Sequence, residues 1–394
     1  MTTSSFTSVQ RGQHGQHGQH GQHGQHGQHG QHGQHGQHGQ HGQHGQFSSA
    51  SGAPASAAAA LIMGHASSAG PWTWTQDAPR PDPLPFNDPA NLHTWSADVR
   101  VMIIVQEIAA TLAVRPISGT PDAVSVSLHD GTQIARLDRP GNDTFAKQLN
   151  YLEYYADQRV ERTPEVLQQL TDLITPFGAV LPLHPGRHRW TYELIQTALE
   201  AVSLIEMQCK HLLACRRPNE FSAQVHPMIQ TPGHGSLPSG HATEAFLAAT
   251  ILRDLSLCAQ HRPHLAEQQL LRQAARIAQN RTVAGVHFPV DSAAGATLGV
   301  SLGGYILEMA GSAGHANGWH CEGDAYGGAD FTYESVAGIF GPDPLSVADP
   351  STNTSVTYAT PLAYALQSHP ATLALTQLYT LAKAEWSTSV ETQR

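Results

Sequence analysis

Pro238-Ser239-Gly240-His241-Ala242-Thr243-Glu244-Ala245-Phe246-Leu247-Ala248-Ala249 reads as a turn that opens into a closely packed helix. The first amides of a helix have no partner within it and carry partial positive charge toward whatever lies in front of them. Gly240 has no side chain to hold an anion away from that backbone. The Ser239 hydroxyl adds a donor. His241, one residue on, is placed to reach an oxygen leaving a bound anion. Ala242, Ala245, Ala248 and Ala249 let neighbouring helices approach closely and hold the turn rigid. Taken alone, the same residues also describe a plain helix N-terminus with a half-exposed histidine.

Two further clusters flank this turn. Lys210 and Arg217 lie at the end of a helical pattern over 190–215, seven residues apart and so nearly two turns along one face. Lysine offers a point charge and arginine a planar fork, both suited to oxyanions, although cations also favour a helix C-terminus for dipole reasons alone. Arg216 is expected to face solvent. Downstream comes Arg281-Thr-Val-Ala-Gly-Val-His287-Phe-Pro-Val-Asp291. Here the arginine ends one helix and the histidine begins the next, with Pro289 in a first helical turn. Asp291 is four residues after His287, so a carboxylate on the same face can fix the imidazole tautomer and raise its basicity. A capped helix with a structural His-Asp pair has the same pattern.

Outward from these clusters, helical periodicity dominates. Ser96 is a candidate N-cap for a helix bearing Val101, Ile104, Val105, Ile108 and Leu112 and running to Arg115-Pro116. Residues 123–137 alternate around Asp130-Gly131 and read as a β-hairpin. Helices are expected over about 144–160, from Thr163-Pro164 onward, over 190–215 with Pro218 as its stop, from Pro238 to about Leu257, over 264–283, over 290–309 and over 369–386. The Gly/Pro/Asp-rich stretch 311–356 reads as loop. The expectation is a mostly α fold with one small β-hairpin, in a single domain from residue 71 to 394.

Composition narrows the partners. The chain has 394 residues, a formal net charge of −10, 40% hydrophobic and 13% charged residues, an ordinary globular balance. Such acidity speaks against nucleic acid, whose phosphates need clustered Lys and Arg. A small anion remains compatible where positive charge is local, as at 210–217. Cys209, Cys215, Cys258 and Cys321 form no CxxC pair and are expected to be reduced core residues. Residues 12–44 repeat Gly-Gln-His eleven times and cannot build a core, so residues 1–70 read as a disordered low-complexity tail. His14 to His44 would line one face of a polyproline-II helix, which makes metal binding by the tail conceivable. Met1 to Gln10 contain no apolar leader, and the apolar runs at 57–63 and 292–307 are too short for a membrane span. A cytoplasmic location without membrane contact is expected, or a secreted or periplasmic one if the start lies elsewhere.

Together, Lys210-x6-Arg217-Pro218, Pro238-Ser239-Gly240-His241 and Arg281-x5-His287-x3-Asp291 resemble the three-part signature of vanadium-dependent haloperoxidases, bacterial non-specific acid phosphatases and type 2 phosphatidic acid phosphatases. The resemblance covers roughly residues 190–310. It departs at Asn280, where the third motif usually has Ser. It implies a helical bundle of the haloperoxidase/acid phosphatase type, with an oxyanion held by Lys210, Arg217, Ser239, Gly240 and Arg281. In the haloperoxidase branch, the resemblance implies vanadate as cofactor, His287 as its single protein ligand, hydrogen peroxide and a halide as substrates, and His241 as the proton-handling group. In the phosphatase branch, it implies no cofactor, a phosphate monoester as substrate, His287 as the phosphorylated nucleophile and His241 as general acid. His234 stands where bromoperoxidases carry a second active-site histidine, and the stretch Thr231-Pro232-Gly233-His234 is haloperoxidase-like. Met207 stands where characterised haloperoxidases tend to have Trp. The expectation is a haloperoxidase-like enzyme, with a soluble acid phosphatase as the alternative. A non-catalytic anion- or metal-binding protein is a third reading, from a different class. A homo-oligomer is compatible with all of these.

Overall fold

In a computed structural model, residues 82–120, 122–257, 263–313, 317–364 and 373–388 are described. The Gly-Gln-His repeat, the Ala-rich stretch after it and Cys258 lie outside these residues. A 3-10 turn at Pro89–Thr94 leads into α1 (Ala97–Ala109), followed by β1 (Leu112–Pro116), β2 (Ala123–Leu128) and β3 (Gln133–Asp138). Then come α2 (Asn142–Ala156), α3 (Arg159–Gln168), a 3-10 turn at Thr175–Ala179, α4 (Arg189–Leu213) and the short α5 (Pro218–Phe221). The motif helices are α6 (Gly240–Leu257), α7 (Pro263–Val283) and α8 (Pro289–Met309). Beyond them lie β4 (Asn317–Glu322), α9 (Gly323–Tyr326), α10 (Tyr333–Val336), β5 (Leu345–Asp349), β6 (Thr354–Ala363) and α11 (Leu373–Thr388).

The mostly α expectation is overturned. A six-stranded mixed sheet in the order β1-β2-β3-β4-β6-β5 makes the chain an α/β mixture rather than a helical bundle with one hairpin. The hairpin at 123–137 exists, pairing Val124 with Leu137 and Val126 with Ala135, but it is the middle of a larger sheet. Its outer edge is β1, antiparallel to β2. Its inner edge is β4, parallel to β3 with Ala135 beside Trp319 and Leu137 beside Cys321. Strands β6 and β5 complete the sheet, both joined antiparallel.

Two features of the sequence conceal these strands. Leu112 continues the helical spacing of α1, yet α1 stops at Ala109. There the Thr111 hydroxyl donates to Ile108 O at 2.7 Å, a local side-chain bond that competes with further helix. In 311–356, Gly, Pro and Asp dominate the composition and hide β4 and β5, which are short and paired at long range. The Thr163-Pro164 reading is also corrected, since α3 begins at Arg159 and holds Pro164 inside it. Pro218 opens α5, whereas α4 ends on Ala214 in the left-handed conformation (φ 49°), whose N–H bonds Lys210 O.

The core is organised by α8, nearly all of whose residues are buried. It packs against α6 and against β3 and β4. Contact with α6 is backbone-close: a Cβ on Gly295 would fall 2.6 Å from Ser239 O, and one on Gly299 2.2 Å from Thr243 O. No side chain larger than hydrogen fits there, and this closeness brings the first turns of α6 and α8 together. At its other end α8 meets the sheet, where the buried Ser301 hydroxyl accepts from Trp319 N at 2.9 Å. Helix α4 packs on α1, α11 and α6. Its first turn is capped from a distance, because Glu385 of α11 accepts from Trp190 N at 2.8 Å and Thr191 N at 2.9 Å. Cys209, Cys215 and Cys321 are buried free thiols. Among the described residues no helix is long and apolar enough to cross a membrane.

Candidate active site

The last turns of α4 carry Glu206 and Lys210 into the protein, at 1% and 2% exposure. A buried ammonium is tolerated only when it is paired and hydrogen-bonded. Lys210 Nζ meets both conditions, lying 3.3 Å from Glu206 Oε1. It also donates to Ser236 O at 3.2 Å, to Gly235 O at 3.4 Å and to Pro238 O. Burial pushes its pKa down, and Glu206 opposes that push.

Arg217 caps α5 and is equally buried. Its guanidinium spans the loop before α6 and the start of α8: Nε donates to His234 O at 3.1 Å, Nη2 to Gly235 O at 3.2 Å, and Nη1 to Val286 O at 2.8 Å. Nη1 also lies 3.1 Å from His287 Nε2. A guanidinium only donates, so Nε2 is the acceptor in this pair. His287 Nδ1 must then carry the proton, and it faces Asp291 Oδ2 at 3.1 Å. The i,i+4 placement of Asp291 thus sets the tautomer that leaves the Nε2 lone pair pointing into the site. Burial lowers the His287 pKa well below its ordinary 6.5, with Arg217 and Lys210 adding to the effect, so the ring is neutral at neutral pH. Burial pushes Asp291 up to about 7, opposed by the Phe288 amide, Lys210 and Arg217.

The turn before α6 is tied to α8, since Ser239 N donates to Asp291 O at 2.9 Å. The Ser239 hydroxyl is fully buried and makes no hydrogen bond within the protein. His241 Nε2 lies 2.9 Å from Gln169 O and 3.1 Å from Arg281 Nη1. Arg281 is fully buried on α7. Its Nη2 donates to Gln169 Oε1 at 2.7 Å, while its Nε has no partner. Burial lowers its pKa to about 9. Asn280, in the place usually held by Ser, donates to Glu165 Oε2 at 3.1 Å and Gln169 Oε1 at 3.3 Å.

The three clusters therefore meet in space. Lys210, Arg217, Ser239, Gly240, His241, Arg281, His287 and Asp291 come from four helices and the three connections beside them onto one buried region. Residues 193–313 match the family model of the PAP2 superfamily. No curated protein matches the chain. The PAP2 match supports a catalytic role, phosphatase-like or haloperoxidase-like, at a general level.

The PAP2 segment also contains groups that reading by motif missed. Glu206 lies four residues before Lys210, a spacing that pairs charges on one helix face and was legible as such. Glu244, three residues after His241, is the one charged residue in the stretch of α6 from Ala242 to Leu252, and 4% exposed. Burial raises its pKa well above 4.5, with Glu206 adding to the rise. Gln169, from outside the segment, carries no sequence signal at all. His234, expected in the site, is part-buried at its rim, with Nδ1 3.2 Å from Arg217 Nη2. It helps line a cavity of about 650 Å³ that also borders Met207, Lys210, Arg216, Arg217 and Thr231. Arg216 is exposed there.

Proposed function

We propose that the protein is a haloperoxidase-like enzyme in which Lys210, Arg217, Ser239, the Gly240 amide and Arg281 hold a tetrahedral oxyanion. His287 Nε2 engages the central atom of that anion. The residues suit vanadate: Ser239 Oγ and Arg281 Nε are buried donors without partners among the described residues, and the neutral His287 has an unprotonated Nε2 that a guest would share with Arg217. Bound vanadate would supply Lewis-acid activation of hydrogen peroxide toward a halide. In this reading Lys210, Arg217 and Arg281 balance the anion's charge, Asp291 keeps the proton on His287 Nδ1, and His241 handles protons. The observation that carries the branch is His234, held against the guanidinium of Arg217 at the rim, within reach of a guest on that side.

One observation favours a second reading. Met207, rather than an aromatic residue, borders the cavity beside Lys210 and Arg217, along with the exposed Arg216. Such a wall suits a polar ester better than a halide. In a phosphomonoesterase His287 Nε2 attacks phosphorus, the P–O bond to the alcohol breaks, and the leaving oxygen takes a proton from His241. Water then cleaves the phosphohistidine and returns that proton.

The two readings separate in a paired assay of the full chain. One arm contains orthovanadate, hydrogen peroxide, bromide and a brominatable dye; the other contains p-nitrophenyl phosphate without vanadate. Bromination that disappears in phosphate buffer supports the first reading. Ester turnover that vanadate inhibits supports the second. Activity in neither arm, with phosphate still bound, leaves a non-catalytic anion receptor and overturns both.

A further inference from the structure

The PAP2 motifs account for the cations around the guest but not for the carboxylate among them. Glu206 is 1% exposed, and its Oε1 forms an ion pair with Lys210 Nζ at 3.3 Å. It also presses on the turn that opens α6. A Cβ on Gly240 would sit 2.8 Å from Glu206 Oε1 and 3.2 Å from Oε2. A negative group thus stands against both the lysine and the backbone that are read here as gripping an anion.

Burial, and Glu206 after it, raise Glu244 on α6 well above its ordinary value. Burial raises Glu206 as well, opposed by Lys210 and Arg217, and the ammonium of Lys210 at 3.3 Å from Oε1 pairs it as a carboxylate. Cys209 of α4 contributes no charge, since burial, with Glu206 behind it, pushes its thiol up to about 12. The groups facing Glu206 are therefore two cations, a second carboxyl whose pKa is raised by burial, and a neutral thiol.

We propose that Glu206 is a specificity-determining residue of this site: its carboxylate accepts a hydrogen bond from a proton-bearing oxygen of the bound oxyanion. The inference rests on the oxyanion reading given above. An ionised carboxylate beside an anion is repulsive unless a proton lies between them, and a buried acceptor left unmatched costs binding energy. Hydrogen phosphate and hydrogen vanadate carry that proton at neutral pH. Sulfate has the same shape and charge range but carries none. The carboxylate thereby rejects the unprotonated anion while costing the protonated one little, which is discrimination by an unfavourable contact.

Isothermal titration calorimetry on the full-length protein at pH 7, with sodium phosphate and sodium sulfate as probes, tests this. The expected result is phosphate binding at least roughly 100-fold tighter than sulfate. Glu206→Gln, whose amide can donate to an unprotonated oxygen, should bring the ratio below about tenfold, chiefly through tighter sulfate binding. Equal affinities in the wild type, or an unchanged ratio in a folded Glu206→Gln variant, overturn the assignment while leaving the oxyanion site standing. Failure of wild-type protein to bind phosphate overturns the oxyanion reading itself, and the role of Glu206 with it. Should Glu206→Gln not fold, the wild-type ratio decides alone.

Discussion

His287 shows how one proton position determines what a side chain can do. With Nδ1–H directed at Asp291, the opposite nitrogen is a lone pair, and burial among Arg217 and Lys210 keeps it unprotonated. Replacing His287 with Ala should reduce turnover in either assay to background; an active variant would exclude the assigned role. Asp291→Asn should keep phosphate binding measurable by calorimetry and lower turnover by about 100-fold, because the tautomer is no longer enforced. The pH dependence follows from the two shifts. His287 titrates below 6.5, so the unfolded chain binds more protons just below that pH; its contribution to stability is full above 6.5 and is lost as pH falls toward the depressed value. Asp291, raised to about 7, acts in the opposite sense: the native state holds its proton longer, and its contribution is lost as pH rises from the unfolded value near 3.8 through 7. Asp291→Asn removes the opposing slope. Chemical denaturation at pH 7.5 and 5.5 should therefore show a larger loss on acidification in the variant than in the wild type.

Between helices, the site depends on how closely α8 can approach α6. Gly299→Ala places a methyl group where Thr243 O already is, 2.2 Å away, and backbone cannot swing aside as a side chain can. We expect a loss of about 3 kcal/mol, seen as a lowered Tm, with weaker phosphate binding because Ser239 and Asp291 move apart. This scale also marks what the sequence made legible. The helices bearing the motifs were readable because the apolar spacing of α4 and the alanines of α6 give periods that no alternative structure shares. The turn residues Pro218, Gly240 and Pro289 fixed where chemistry could sit. The sheet was not readable, since β1 continues the helical phase of α1 and β4 finds its partner Ala135 about 180 residues away. Likewise Glu244 and Gln169 gain meaning only once α6, α7 and the end of α3 are neighbours. Local periodicity reports elements, and a convergent site is a property of how they pack.

At the scale of the whole molecule, function and bulk composition separate. The fold buries Lys210, Arg217 and Arg281 while the chain as a whole is acidic, so attraction of an anion is a local effect at the cavity that Arg216 and Arg217 line. The Gly-Gln-His tract is apart from this arrangement in sequence, and deleting residues 12–46 should leave turnover unchanged while abolishing retention on immobilised nickel or zinc. The bond between Glu385 and the first turn of α4 has a less obvious consequence. Helix α4 runs from that turn at one end to Lys210 at the other, so the hold on the lysine begins with an acid on α11, about 175 residues downstream of it. Loss of the chain from Glu385 onward would leave every motif intact on paper and still release the far end of the lever on which the lysine is mounted.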